Sequence, residues 1–549
     1  MKALIAILAA AAALAAAGCG SSVSGGARDE VLRVGTTSGI DSLNPFVGIE
    51  GQAFNAATMV YPQLVEYGPH LAELQGDWAE RWSRSRDGRR WTFELKEGRW
   101  SDGRPLTAAD AAWTGNTILE YQDGPAAALA GALANVTRLE APDERTLVIR
   151  YERPVANALA QLDQLPILPR HVWEAATGNG GRDLRTFRPP LPLVAGGPYT
   201  ITEHDEKGTT VFKRNAGFYG KPSNAAAVAL TYYADATAMV RDVSAGELDF
   251  VDQLPFTAAA ALERDGTVDV SAIPGPEVVH VGFNSNPDKP RHRELLDPRV
   301  REALEYATDR ARIVDVVFRG YAEPWANMVS KQSEGAGWLS PDVRPLPFDV
   351  ERANRMLDAL GYRRGEDGVR MVPATGGRFA EPAHPMRYEL LVPGSLNFSG
   401  ERMFGVIRDG WAQAGVELRM KHVGDARQAF AAVSDGDYTR FDLVLWNWVH
   451  YVDPDSLLGV LTKAQWGSFS DTGYADGWYD RAHRRQATLL DADARRGLIW
   501  RMQEHLRKTR PYIQLVNEQL VTASSPRWTD FHPDAFAYCK CYYTDPRPR

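Results

Sequence analysis

FELKEGRWSDGRPLTAAD, residues 93–110, sets the architecture of the first half of the chain. Trp91, Phe93 and Leu95 alternate with Thr92, Glu94 and Lys96, which predicts a strand with one apolar face. Glu97-Gly98 turns the chain, Arg99-Trp100 forms a short second strand, and Ser101-Asp102-Gly103 is a second turn in which Gly supplies a positive φ. Thr107, followed three residues later by Asp110, is a capping-box variant: hydroxyl and carboxylate take the orphan N–H groups of a helix start. The stretch reads strand, turn, strand, turn, helix start, and it carries no nucleophile and no metal cluster.

A chain of 549 residues predicts two or three lobes, because a single core stops growing well before that length. The net charge of −8 argues against a nucleic-acid partner, which would need basic patches. Fifteen Trp residues are many; most are expected in the core, and a few suit a surface on which flat ligands stack.

The N-terminus reads as an export signal. Met1-Lys2 is a short basic start, and Ala3–Ala17 is an unbroken apolar run, too short for a stable membrane span and right for a signal-peptide core. It ends in AAGC, which resembles the bacterial lipoprotein lipobox. That resemblance implies residues 1–18 as signal peptide, cleavage before Cys19 and lipidation of its thiol. Residues 19–27, rich in Gly and Ser, read as a flexible tether. The mature protein is expected outside the cytoplasm, held to the membrane by Cys19. The export route permits disulfides, so Cys539 and Cys541 in YCKCYY are read as a local disulfide or a free pair before a metal site.

Strands are predicted at 31–37, 388–392, 416–420 and 441–446, with a helix at 399–414 ended by Gly415. Strand, helix and strand joined by short links predict a parallel α/β sheet. Asp297-Pro298 signals a helix start. Asp349 caps a second helix that Gly361 ends, and Asp491–Lys508 is a third.

The sequence holds no phosphate loop, no HExxH and no GxSxG elbow. Its 11 His form no pair at metal-ligand spacing beside a carboxylate. One segment stands out: FDLVLWNWVHYVDPDSLL, residues 441–458. A buried strand is followed by Trp446, Trp448, His450, Tyr451 and Asp453. Ligands of open α/β folds bind beyond the carboxyl ends of strands, which makes these five the candidate ligand-binding residues. The plainer alternative is an aromatic loop packed in the core, with Asp453 capping the next helix.

The chain resembles the family 5 extracellular solute-binding proteins, the dipeptide- and oligopeptide-binding class that serves ABC importers. The resemblance rests on DSLNPF (41–46), the stretch from DWAERW to DAAWT (77–114), APDERTLVI (141–149), ILPRHVW (167–173), GGPYTI (196–201), FKRNAGFYG (212–220), SAGELDF (244–250), DPRVREALEYATDRARIV (297–314) and FDVERANRMLDALGY (348–362). It implies an α/β, type II periplasmic-binding-protein fold with three lobes: lobe I from 28–60, 190–275 and 510–549, lobe II from 61–189, and lobe III from 276–509. Two crossing strands, near 275–283 and 508–516, would hinge lobes I and III. The implied function is capture of a solute, an oligopeptide first, by hinge closure, and delivery to an ABC-type permease by a monomer with no cofactor and no catalysis. Peptide-binding members carry an Asp three residues before the D-P dipeptide to hold the ligand's ammonium group; here that position is His450. A non-peptide solute such as an oligosaccharide, a sensor role, and an exported hydrolase are the alternatives.

Overall fold

Two strands far apart in sequence, Asp269–Phe283 and Tyr512–Ser524, lie side by side through the middle of the molecule. They pair antiparallel from Asp269 opposite Ser524 to Gly282 opposite Tyr512, with the register shifting between Pro274 and Val278. The computed structural model describes residues 31–48, 51–71, 73–394, 399–424, 426–449, 451–532 and 539–549. Cys19 and the predicted signal peptide lie outside the described residues.

On one side of this pair the sheet continues through Phe250–Val251, Val31–Thr36, Ala227–Tyr232, Thr209–Arg214 and Tyr199–Glu203. On the other it continues through Leu443–Val449, Arg387–Pro393 and Glu417–Val423. Each flank contains the expected parallel pairing: Val31–Thr36 runs parallel to both neighbours, and so does Arg387–Pro393. The central pair is antiparallel, so the whole sheet is mixed. The second crossing strand also starts later than the sequence suggests, because residues 508 and 509 still belong to the helix Ala492–Thr509.

The opening stretch folds as read. Trp91, Phe93 and Leu95 are buried in the strand Arg90–Leu95, the centre of a separate four-stranded antiparallel sheet with Ala79–Arg84, Thr146–Tyr151 and Val136–Glu140. Gly98–Arg99 pairs with Pro105–Leu106, and Gly103 takes φ +88° in the turn between them. Asp110 then joins three segments. It accepts Thr107 N–H at 3.0 Å, Arg170 N–H at 3.1 Å and Trp100 Nε1–H at 3.4 Å. The capping box thus fixes the start of the helix Ala108–Glu120 and also ties it to its surroundings.

The predicted caps hold elsewhere. Asp297, Asp349, Ser399 and Asp491 each accept a backbone N–H from the first turn of the helix that follows. Two large cores result. One joins the flank around Leu32 and Phe212 to the small sheet around Phe93 and Ile149, and takes in Trp528 and Tyr542 from the C-terminus. The other fills the opposite flank around Leu304, Tyr388, Trp411 and Leu445.

A buried ion cluster closes the edge of this second core. Asp442, 1% exposed, accepts Lys289 Nζ at 2.7 Å and His292 Nδ1 at 2.9 Å. Burial alone would push its carboxyl up, but the His292 hydrogen bond and the Lys289 charge outweigh that and hold it at about 2. The folded value lies below the unfolded one of about 4, so the stabilisation is present above pH ~4 and is lost as pH falls from ~4 towards 2. Asp442→Asn is expected to remove about 2–3 kcal/mol of that pH-dependent stability. Urea unfolding at several pH values between 2 and 5 checks it: the wild-type curve should be the steeper of the two.

Candidate functional site

The strand Leu443–Val449 runs three residues past Trp446, and this decides where the predicted residues go. Side chains alternate along a strand. Trp446 and Trp448 therefore share one face, beneath the helix Ala426–Ser434. Phe430 of that helix stacks on Trp446 and meets Trp448 edge-on, each at 5.7 Å between ring centres. Trp446 is 9% exposed, in a small core with Leu391, Val433 and Val444. Both indoles thus fill the sheet–helix interior, as in the core-packed alternative. Asn447 and Val449 turn the other way. Asn447 Nδ2 donates to Glu277 on the neighbouring central strand at 2.5 Å, and Val449 is left 53% exposed.

His450 lies outside the described residues. Tyr451 follows, 50% exposed. Val452 is buried with Tyr67 and Leu71 from the distant small-sheet side, and its carbonyl accepts Ser333 Oγ–H at 2.9 Å. Asp453 is 9% exposed and clasped by the buried Arg495, whose Nη1 and Nη2 donate at 2.6 and 2.8 Å. Its Oδ1 also accepts Asp455 N–H at 3.0 Å, just ahead of the short helix Asp455–Gly459. Asp455 accepts Gln486, and Asn157 at 3.4 Å, with His483 Nε2 at 3.5 Å.

These residues form one wall of a cavity of about 680 Å³. Val449, Tyr451, Asp453 and Asp455 line it; Trp446 and Trp448 do not. The facing wall is the helix Gly51–Val60, which presents Ala53, Phe54, Ala57 and Val60, with Tyr61 and Tyr67 beyond it. A third side comes from Leu129, Asn157, Gln161 and Gln164, and Pro276 and Leu520 of the two central strands close the remaining edge. The cavity therefore sits where the two halves of the large sheet and the small-sheet region meet. Asn157 to Asp455, and Tyr67 with Leu71 to Val452, are direct contacts across it.

The facing wall is braced from behind by charge. Gln52, on the helix Gly51–Val60, donates to Asp252, which is fully buried; burial pushes that carboxyl up to about 7. Just past the helix, Gln63 N–H donates to Asp77 at 2.9 Å. Lys540 donates to Asp77 and, at 3.1 Å, to Gln63 Oε1, with Glu66 at 3.9 Å. Tyr219 O–H completes Asp77 at 2.8 Å. Lys540 stands between Cys539 and Cys541, which form the local disulfide, with Cα atoms 5.1 Å apart.

Sequence reasoning reached one wall of the cavity and missed the others. The helix Gly51–Val60 mixes Ala with isolated polar and large residues and carries no motif, and Gln161 and Gln164 are two amides among many. Only pairing across more than a hundred residues brings them to the site.

The family model described as bacterial extracellular solute-binding proteins, family 5 Middle, matches residues 73–469. A putative ABC transporter peptide-binding protein of Brucella ovis is 26% identical over 340 residues, 58% of this chain and 58% of its own length. The glutathione-binding protein GsiB of Escherichia coli O157:H7 is 27% identical over 347 residues, 62% of each. The chain thus spans about three fifths of the length of these curated relatives. Among solved structures, HbpA2 from Haemophilus parasuis superposes with a TM-score of 0.78 at 20% identity, covering 94% of this chain and 100% of that one. The fold is accordingly the mixed α/β, type II periplasmic-binding-protein fold.

Proposed function

The chain belongs to the bacterial extracellular solute-binding proteins of family 5, and from that premise we propose that it captures one solute, an oligopeptide first, in the central cavity and passes it unchanged to an ABC-type permease. The observation that carries the reading is the position of the cavity. It opens between two halves of a sheet that are joined at its edge by Asp269–Phe283 and Tyr512–Ser524, a geometry suited to hinge closure. In this reading lobe I is 28–60, 190–275 and 510–549, lobe II is 61–189 and lobe III is 276–509. Val449 and Tyr451 touch the solute directly, His450 joins them, and Asp453 holds the loop in place through Arg495. Trp446 and Trp448 shape the loop from beneath. The curated relatives' names, peptide-binding and glutathione-binding, support a peptide-like solute.

We further propose that the protein is a monomeric lipoprotein anchored through Cys19 and that it performs no catalysis. Among the described residues no helix is long and apolar enough to cross a membrane. One preparation tests the set. Full-length protein made in a bacterial host is expected in the membrane fraction and Cys19→Ser in the soluble one. Native mass spectrometry of the soluble form should show one solute per chain, with its mass unaltered after incubation. A soluble wild type would reject the anchor, and a solute converted to product would reject the binding role.

A further inference from the structure

We infer that one end of the small four-stranded sheet is a docking surface for an anionic lipid membrane, met edge-on by a cluster of exposed arginines. The inference goes beyond the solute reading and uses neither the cavity nor the Cys19 anchor.

The strands fix where these side chains stand. In the sheet of Ala79–Arg84, Arg90–Leu95, Thr146–Tyr151 and Val136–Glu140, Arg90 lies directly opposite Arg150, and Arg150 directly opposite Arg138. Trp91, Ile149 and Leu139 turn into the core, so by alternation the three arginines share the outer face, and all three are exposed. Like charges set opposite one another repel, so the row costs the sheet stability until an anion covers it. Glu140 offsets part of it, reaching Arg150 at 3.1 Å and Arg138 at 3.3 Å. The turn between the first two strands adds Arg86 and Arg89, both exposed. Arg153, just past the third strand, has its Nε on the neutral Asn135 at 2.8 Å. Asp87 is spent within its own turn, accepting Ser85 Oγ–H at 2.6 Å and Arg89 N–H at 3.2 Å. Among the described residues Arg86, Arg89 and Arg90 form no ion pair. Six guanidinium groups thus face three carboxylates, Asp87, Glu140 and Glu152, in a chain whose net charge is −8.

The placement of the charge selects the partner. Glu94 is on the same face as Arg90, four residues along the strand and so ~13 Å away. Glu80, Asp143 and Glu144 are exposed at that far end. The separation exceeds the screening length of ~8 Å at physiological salt, so a charged plane touching the arginine end is little affected by the far acids. A nucleic acid laid along this face would run on to them and to the acidic remainder of the molecule. It would also find no stacking platform, because none of the large apolar side chains exposed on the protein belongs to this sheet. A membrane carrying anionic headgroups attracts each arginine within its screening length, and the planar guanidinium takes a phosphate through two N–H groups at once.

The test is sedimentation of the Cys19→Ser chain with vesicles at about 50 mM salt. Vesicles of phosphatidylglycerol and phosphatidylcholine are expected to bind it at least tenfold more tightly than pure phosphatidylcholine, and high salt should abolish the difference. Both vesicles have the same apolar interior, so any contribution of residues 1–18 cancels. The triple variant Arg86→Glu, Arg89→Glu, Arg90→Glu should lose the preference with its melting temperature unchanged, since all three side chains are exposed. The milder Arg86→Gln, Arg89→Gln, confined to the turn, should lose at least threefold and guards against misfolding of the first variant. Lys207→Glu, Arg264→Glu, Arg355→Glu changes the net charge equally at exposed positions elsewhere and should keep the preference. Equal binding to the two vesicles, or an equal loss in both triple variants, overturns the inference. So does release by inorganic phosphate at constant ionic strength, or tighter binding to a single-stranded oligonucleotide; these would make the end a site for a free anion or for nucleic acid. Each of these outcomes leaves the solute reading standing, because native mass spectrometry of the same chain tests that separately.

Discussion

Lys540→Met is expected to cost about 3–5 kcal/mol of folding stability, the usual loss when one member of a buried ion pair is removed and the other is left uncompensated. The side chains of Lys540 and Asp77 are 5% and 3% exposed, so water replaces little of the missing interaction. Glu66 lies 3.9 Å from the same ammonium group, and Asp163 is fully buried nearby, with its carboxyl pushed well above the ordinary range by burial first and by Glu66 second. Removing this cation leaves these carboxyls without the charge that offsets them. The effect should extend beyond local stability, because Gln63 and Asp77 hold the chain just past the helix Gly51–Val60 that lines the cavity. Urea unfolding followed by tryptophan fluorescence measures the loss. Lys540→Met combined with Asp77→Leu should recover part of it, since an apolar pair strands no charge.

Arg495→Met is expected to have a similar cost, about 3–5 kcal/mol, for a related reason. Arg495 gives both terminal nitrogens to Asp453, its Nε to Gln486 at 3.1 Å, and its flat face to Trp338 at 4.8 Å. A charge at this depth is tolerable because each of its three nitrogens has an acceptor and a carboxylate faces it. The variant strands Asp453 and frees the segment that carries Val449 and Tyr451 into the cavity. It should therefore lose solute affinity at temperatures where it is still folded. Titration at 15 °C beside a melting curve separates the two effects. Full affinity at 15 °C would show that the Arg495–Asp453 pair serves stability alone.

Both pairs explain what the sequence could and could not disclose. Local features were legible. Thr107 and Asp110, Asp297-Pro298, Ser399 and Asp491 each mark a helix start, because a cap is a hydrogen bond within three residues. The alternation of Trp91, Phe93 and Leu95 marks a buried face for the same local reason. The aromatic loop was legible in place and not in direction. Trp446 and Trp448 are two apart on a strand that runs to Val449, so period two sends both under Phe430 and sends Val449 to the cavity. Taking the strand to end at Trp446 hides that. Asp453 to Arg495 spans 42 residues and Lys540 to Asp77 spans 463, and no periodicity reports such pairs. The two central strands are named, near 275–283 and 508–516, only through the resemblance; their antiparallel pairing has no local signal, because each is set by a partner more than two hundred residues away.

The central claim is that one solute closes the molecule about Asp269–Phe283 and Tyr512–Ser524. Small-angle X-ray scattering on the soluble mature chain, first stripped of solute and then saturated with whatever co-purifies, tests it most directly. The account predicts a smaller radius of gyration at saturation, reached at one solute per chain and reversed when the solute is removed. An unchanged radius at full saturation would contradict it.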